Sequence, residues 1–334
     1  MSQPSRHVAV LLAEVLEALQ PLQGALIVDG TFGAGGYTKA ILDRGASVVA
    51  LDRDPAAIRG GAGLVAASEG RLRLVEARFG DLCAVAQTLG LEKADGVVFD
   101  IGVSSMQLDE AERGFSLRFD APLDMRMSRT GRTAADILRD EDENTIADIL
   151  FHFGEERAAR RIARAIVADR ETAPYVSTLK LARMIARVAP ARRGELTHPA
   201  TRTFQALRIA VNDELGELLR GLIAAERLLA PGGRLAVVTF HSLEDRIVKQ
   251  FLAGRSGRGR AASRLLPGEP AAAEPTFEVP RGQPIEPGER EASSNPRSRS
   301  AKLRYAVRLD APAHPPDGTI VALTRLPARR GRQG

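Results

Sequence analysis

At 334 residues with 44% apolar side chains, the chain can furnish one large or two ordinary domains, which excludes disorder throughout. A single cysteine, Cys83, excludes an internal disulfide and any cysteine-built zinc site, so a cytoplasmic setting is expected and a metal is not. The net charge of +5 favours a polyanionic partner, although a modest surplus of arginine also keeps many proteins soluble.

Near the N-terminus, "HVAVLLAEVLEALQPL" is interrupted by Glu14 and Glu17 and followed by no small-residue cleavage site, so it reads as an amphipathic helix, not a signal or a membrane span. Apolar runs then recur at "ALIVDG" (25–30), "SVVALD" (47–52), "LRLVEARF" (72–79), "GVVFDI" (96–101) and, much later, "RLAVVTF" (234–240). Runs that are continuous rather than alternating are covered on both faces. They predict an α/β fold with a mostly parallel sheet flanked by helices.

The long interval before "RLAVVTF" carries the helical period in "TAADILRD", "NTIADILFHF", "EERAARRIARAIVADRE" and "STLKLARMIARVA". An all-helical insertion over 113–199, read as a substrate-recognition domain, therefore divides a sheet domain into 1–112 and 200–310. Beyond it, Leu207, Val211, Leu215, Leu218 and Leu222 share one stripe of a long helix that Pro231, Gly232 and Gly233 are expected to stop. Gly, Arg, Pro, Ser and Glu dominate 254–300, which reads as a flexible surface loop or one that orders on a partner; "KLRYAVRL" (302–309) reads as a late strand and 311–334 as a basic tail.

Chemistry concentrates at "VDGTFGAGG" (28–36), where an acid ends the first strand and glycines follow. A dinucleotide site wants G-x-G-x-x-G, but after Gly33 and Gly35 the third position is Thr38. Asp29 would repel a pyrophosphate and attract the ammonium of a methionine moiety, so S-adenosylmethionine fits better. Asp52, ending the second strand, suits two ribose hydroxyls in either cofactor class. Phe79 is placed at the end of the third strand, against an adenine or in the core, and Asp100 ends the fourth, where such folds present the reacting substrate.

Together, "VDGTFGAGGYT", "LDRDPAAI", "FDIGVSSMQLDEAERGFSLRFDAPLDMRM", "TFHSLEDRIVKQF" and "NPRSRSAKLR" closely resemble the bacterial RsmH (MraW) family, and in order along nearly the whole chain. The resemblance implies a Rossmann-like class I methyltransferase that uses S-adenosylmethionine to methylate N4 of a cytidine in the decoding centre (P-site region) of 16S rRNA, within an assembled or nearly assembled 30S subunit. It places cofactor contacts on Gly35, Gly36, Tyr37, Asp52, Phe79, Asp100 and Gln107. The chain departs from the family's usual residues at Tyr37, where His is usual, and at Ala9 and Met106, where Pro is. A non-catalytic RNA-binding or assembly factor and a DNA amino-methyltransferase are the alternatives, and monomer and homodimer both stay open.

A cytosine amine is a poor nucleophile, so transfer needs alignment with the methyl–sulfonium bond and an acceptor for its N–H. Asp100 either grips the amine or orients the cofactor. Asp124 is a second candidate, or simply a mate for Arg126 or Arg118. His241 lies near the crevice, while the Ser242 to Asp245 spacing suggests a helix cap, and Asn212 reads as a structural polar group. For RNA, Arg157, Arg160, Arg161 and Arg164 share one helix face that Glu155 and Glu156 would balance, and Arg297, Arg299, Lys302 and Arg304 cluster with no acid among them in the sequence.

Overall fold

The computed structural model describes residues 9–191, 194, 197–257 and 273–327. Seven strands form one sheet: β1 (Leu26–Asp29), β2 (Ser47–Asp52), β3 (Leu72–Glu76), β4 (Ala94–Asp100), β5 (Leu229–Thr239), β6 (Phe277–Glu278) and β7 (Lys302–Arg308). Their order is β3-β2-β1-β4-β5-β7-β6, and β7 alone runs antiparallel to β5 and β6. The central strands carry Val, Ile, Leu and Ala because helices cover both faces: Ile27, Val28, Val97, Val98, Phe99 and Leu235 through Val238 are all fully buried. Parallel pairing aligns the C-terminal ends of β1, β2 and β4, so Asp29, Asp52 and Asp100 come to one edge.

The described residues divide into two compact units, one within Met1–Gly102 and Gly216–Val321, which holds the whole sheet, and one within Val103–Leu215 and Ala322–Gly334. The second is helical, built on helices Ala134–Asp140, Glu143–Gly154, Ala159–Arg170, Thr178–Val188 and Thr201–Asn212. Thr133, Asp142 and Ser177 cap three of them with side-chain oxygens, which explains where those helices begin. Ile146, Leu150 and Phe153 are buried in its interior with Ile162, Ile166 and Leu207. At Gly154 a β carbon would lie 2.5 Å from the Arg202 carbonyl oxygen, so only glycine permits that helix crossing.

Four sequence expectations change. The long helix is two, Thr201–Asn212 and Glu214–Leu228, because Asp213 adopts φ 51°, which ends the first. Pro231, Gly232 and Gly233 do not stop the second; it ends at Leu228, and they lie inside β5, where pairing with β4 shifts register between Ala94 and Gly96. β3 ends at Glu76, so Phe79 opens a 3-10 turn, Phe79–Asp81, rather than closing a strand. Within 254–300, buried Thr276 and Phe277 anchor β6 against β7, Ile285 bridges Leu303, and a helix (Glu289–Ser294) precedes a 3-10 turn (Pro296–Ser300). The rest of that expected loop, 258–272, lies outside the described residues, as does 328–334 of the expected tail, whose earlier part carries a short helix, Gly318–Leu323. Among the described residues no helix is long and apolar enough to cross a membrane.

Candidate active site

The turn after β1 is shaped by its own acid. Asp29 is fully buried, accepts from Thr38 Oγ1 at 2.6 Å and from the Thr31 backbone at 3.1 Å, and so pins the strand end to the following helix, Gly36–Leu42. Gly35 caps that helix at φ 78°, and a β carbon there would strike the Phe32 ring at 2.9 Å. Gly33 donates its N–H to Asp52 Oδ2 at 2.8 Å, while Asp54 donates to Oδ1 at 2.8 Å. Each Asp52 oxygen therefore keeps a second acceptor site. Gly36 lies against Ala9, and the Tyr37 ring is buried with its hydroxyl donating to the Val10 carbonyl, so the imidazole usual in the family has no counterpart in the turn.

Asp100 is held differently. Its backbone N–H donates to Thr31 Oγ1 at 2.6 Å, but its buried Oδ1 has no hydrogen-bond partner among the described residues. Burial, then the carboxylates of Asp29 and Glu244, push its pKa up to about 8. Burial raises Asp29 to about 6, with the Thr38 and Thr31 hydrogen bonds acting against it, and it raises Asp52 as well, opposed by the N–H groups of Asp54 and Gly33. Asp29 and Glu244 thus both bear on Asp100, and one oxygen of its carboxylate lacks a mate among the described residues. A cationic ligand would satisfy both conditions, and the sulfonium and ammonium of S-adenosylmethionine are cationic.

Beyond β5 the cap of helix Ser242–Arg255 is His241, not Ser242. Its Nδ1 accepts from the Glu244 N–H at 3.4 Å, and its Nε2 lies 3.0 Å from Glu244 Oε1, close but off the line of a hydrogen bond. Both ring nitrogens face Glu244, which turns the imidazole away from a proton-acceptor role. Glu244 is fully buried and accepts from the Phe240 N–H at 2.8 Å and the His241 N–H at 3.2 Å. Sequence reasoning missed it; the acid three residues after His241 was the available signal, obscured because histidine is an uncommon cap. The Phe79 and Phe99 rings lie 5.0 Å apart, tilted by 40°, and glycines at 30 and 221 make room for the pair, since a β carbon at either would come within 2.5 Å of a ring.

The remaining expected residues belong to the helical unit. Gln107 is buried and closes a capping box with Ser104, its Oε1 accepting the Ser104 N–H at 3.1 Å. Asp124 binds Arg126 through both oxygens, at 2.9 and 2.7 Å. Its burial acts to raise its pKa, but the Arg126 bonds prevail and lower it, which makes it a poor proton acceptor. Asn212 clamps one loop, accepting from Met127 N at 2.9 Å and donating to Met125 O at 2.7 Å.

A cavity of about 1210 Å³ in this unit is lined by Phe151, Arg157, Arg160, Arg161 and Arg202, and Phe151 is 57% exposed. Glu156 is buried and caps the Ala158 N–H rather than balancing these arginines, for which no ion pair is found among the described residues; Arg202 donates to the Glu155 carbonyl, and Arg164, further along the helix, reaches Glu143 at 3.6 Å. In the sheet unit the late basic cluster is partly neutralised by acids remote in sequence: Arg304 forks onto Asp245 at 2.7 and 3.1 Å, and Lys302 lies 3.9 Å from Glu286.

A parallel sheet of this order with one antiparallel strand, a glycine turn after β1, and acids ending β1, β2 and β4 defines a class I methyltransferase that uses S-adenosylmethionine. The model of the MraW methylase family matches residues 4–309, and the chain belongs to that family. It is similar to the ribosomal RNA small subunit methyltransferase H of Methylocella silvestris, 63% identical over 98% of this chain and 95% of that one, and to its namesake in Methylorubrum populi, 60% identical over 99% and 95%. Among solved structures, an rRNA methylase from Streptococcus thermophilus aligns with TM-score 0.42 and 10% identity over 91% of this chain and 99% of that one.

Proposed function

We propose that the protein methylates small-subunit 16S ribosomal RNA at the exocyclic N4 of a cytidine in the decoding centre, acting on an assembled or nearly assembled subunit in the cytoplasm. The observation that carries this reading is the unmated Asp100 carboxylate at the end of β4, crowded by Asp29 and Glu244. The backbone of Gly33 to Tyr37 bends around the methionine moiety, Asp52 offers its spare acceptor sites to ribose hydroxyls, and Phe79 borders the adenine. When bound, S-adenosylmethionine supplies an electrophilic methyl group. Asp100, ionised beside that positive charge, accepts an N–H of the target amine and so keeps nitrogen density directed at the carbon. The arginine-lined cavity of the helical unit takes RNA phosphates. Names of close relatives that act on small-subunit ribosomal RNA support the substrate class.

The test is transfer of labelled methyl to small subunits from cells lacking the enzyme, followed by nucleoside analysis. N4-methylcytidine is the expected product; label in any other nucleoside, or none, overturns the reading.

A further inference from the structure

An amine acceptor held flat needs an aromatic or apolar wall beside the base. The segment leaving β4, "DIGVSSMQLDEAERG", contains no aromatic, and the next one, Phe115, is buried in the helical unit. The sheet supplies one from the neighbouring strand. Asp100 pairs with Val238 of β5, and the Ile101 N–H donates to the Val238 carbonyl at 2.9 Å, so continuing that register sets Phe240 beside Gly102. A β carbon on Gly102 would lie 3.5 Å from Phe240 Cδ2, and Gly102 has φ 121°, a backbone that leaves the ring's neighbourhood free of side chain.

Phe240, the residue after β5, also departs from the burial of the strand's end. Leu235 to Val238 are fully buried and Thr239 nearly so, yet Phe240 is part exposed. Its position is nonetheless fixed, because fully buried Glu244 accepts its N–H and the next one. A part-exposed phenyl ring whose backbone is held in place, set beside Gly102 two residues past the pairing of Asp100 with Val238, has the makings of a stacking platform for a base.

We propose that Phe240 is the face on which the target cytosine stacks and that Glu244 is the positioning residue that seats it; this rests on the cytidine reading above. Stacking on an aromatic ring predicts that Phe240→Leu raises KM for the subunit roughly ten- to a hundredfold while leaving cofactor affinity and the melting temperature unchanged, and that Phe240→Tyr restores KM.

A photo-crosslink separates this from the functional reading. Reconstituted subunits carrying 5-iodocytidine at the target position are irradiated with the full-length protein and S-adenosylhomocysteine, and the adduct is mapped by mass spectrometry. The adduct falls on Phe240, is lost in Glu244→Ala and returns in Glu244→Gln. An adduct on another residue, no adduct, or wild-type KM in Phe240→Leu overturns the proposal. Should wild-type protein place no methyl on N4 while the adduct still maps to Phe240, the functional reading fails and the stacking platform stands.

Discussion

Asp100 makes the ligand-free protein sensitive to pH in a definite direction. Its folded pKa of about 8 lies above the ordinary carboxylate value, so the folded chain keeps a proton that the unfolded chain has already released. The associated stability is complete below the ordinary value and is lost as pH rises toward about 8, with Asp29 contributing the lower part of the window up to about 6. Asp100→Asn, which cannot ionise, should therefore melt higher than wild type at pH 8 in the absence of ligand, the gap closing at pH 5, while S-adenosylmethionine binding by calorimetry is lost. Equal pH slopes in both proteins would show that the carboxylate is not under this strain. At the neighbouring strand end, the proposed ribose contacts predict that Asp52→Ala weakens cofactor binding roughly tenfold or more and leaves the circular dichroism spectrum intact.

The elements show what the sequence made legible. The ends of β1, β2 and β4 were readable because those three apolar runs stop at an acid, Asp29, Asp52 and Asp100. The break at Asp213 was not, since Leu207, Val211, Leu215 and Leu218 carry the helical period straight through it, and one backbone angle makes the difference. Phe79 was misplaced for a similar reason: the apolar run outlasts the pairing of β3 with β2, which closes at Asp52 and Glu76. Asn212 reads in the sequence as a structural polar group, and what it holds is visible only in three dimensions. It holds the loop in which Met125 adopts φ 62°, a conformation that costs a non-glycine residue about 1 kcal/mol or more unless its neighbours enforce it. Asn212→Ala leaves a buried N–H and a buried carbonyl unmated and should cost about 2–4 kcal/mol, measurable by urea unfolding, with faster amide exchange at 125–127. On the helix Ala159–Arg170 and just before it, replacing Arg157, Arg160 and Arg161 with Glu should lower RNA affinity and reduce the dependence of log affinity on log salt by about 0.7 for each lost phosphate contact.

At the scale of the whole chain, the sheet unit is locked from its far end. Glu226, fully buried, accepts from Arg255 Nε at 3.0 Å and Thr276 Oγ1 at 2.6 Å, while Arg308 donates to the Glu226 backbone carbonyl at 2.8 Å and Arg255 reaches the carbonyls of His314 and Pro315 at 3.1 Å. Removing the carboxylate strands a buried guanidinium, so Glu226→Ala should destabilise the protein by about 3–5 kcal/mol in denaturant titration. None of this network was predictable from composition, because its members are scattered from 226 to 315 and only the fold collects them.

The order of the sheet also dictates a timetable for synthesis. β4 is complete once Asp100 leaves the ribosome, yet β5, which must cover its open side, begins only at Leu229, and the helical unit is translated in between. Through that interval the nascent half-sheet presents the unpaired backbone edge of a strand whose 97–99 side chains are apolar, so the growing chain needs either shelter or speed until its missing neighbour emerges.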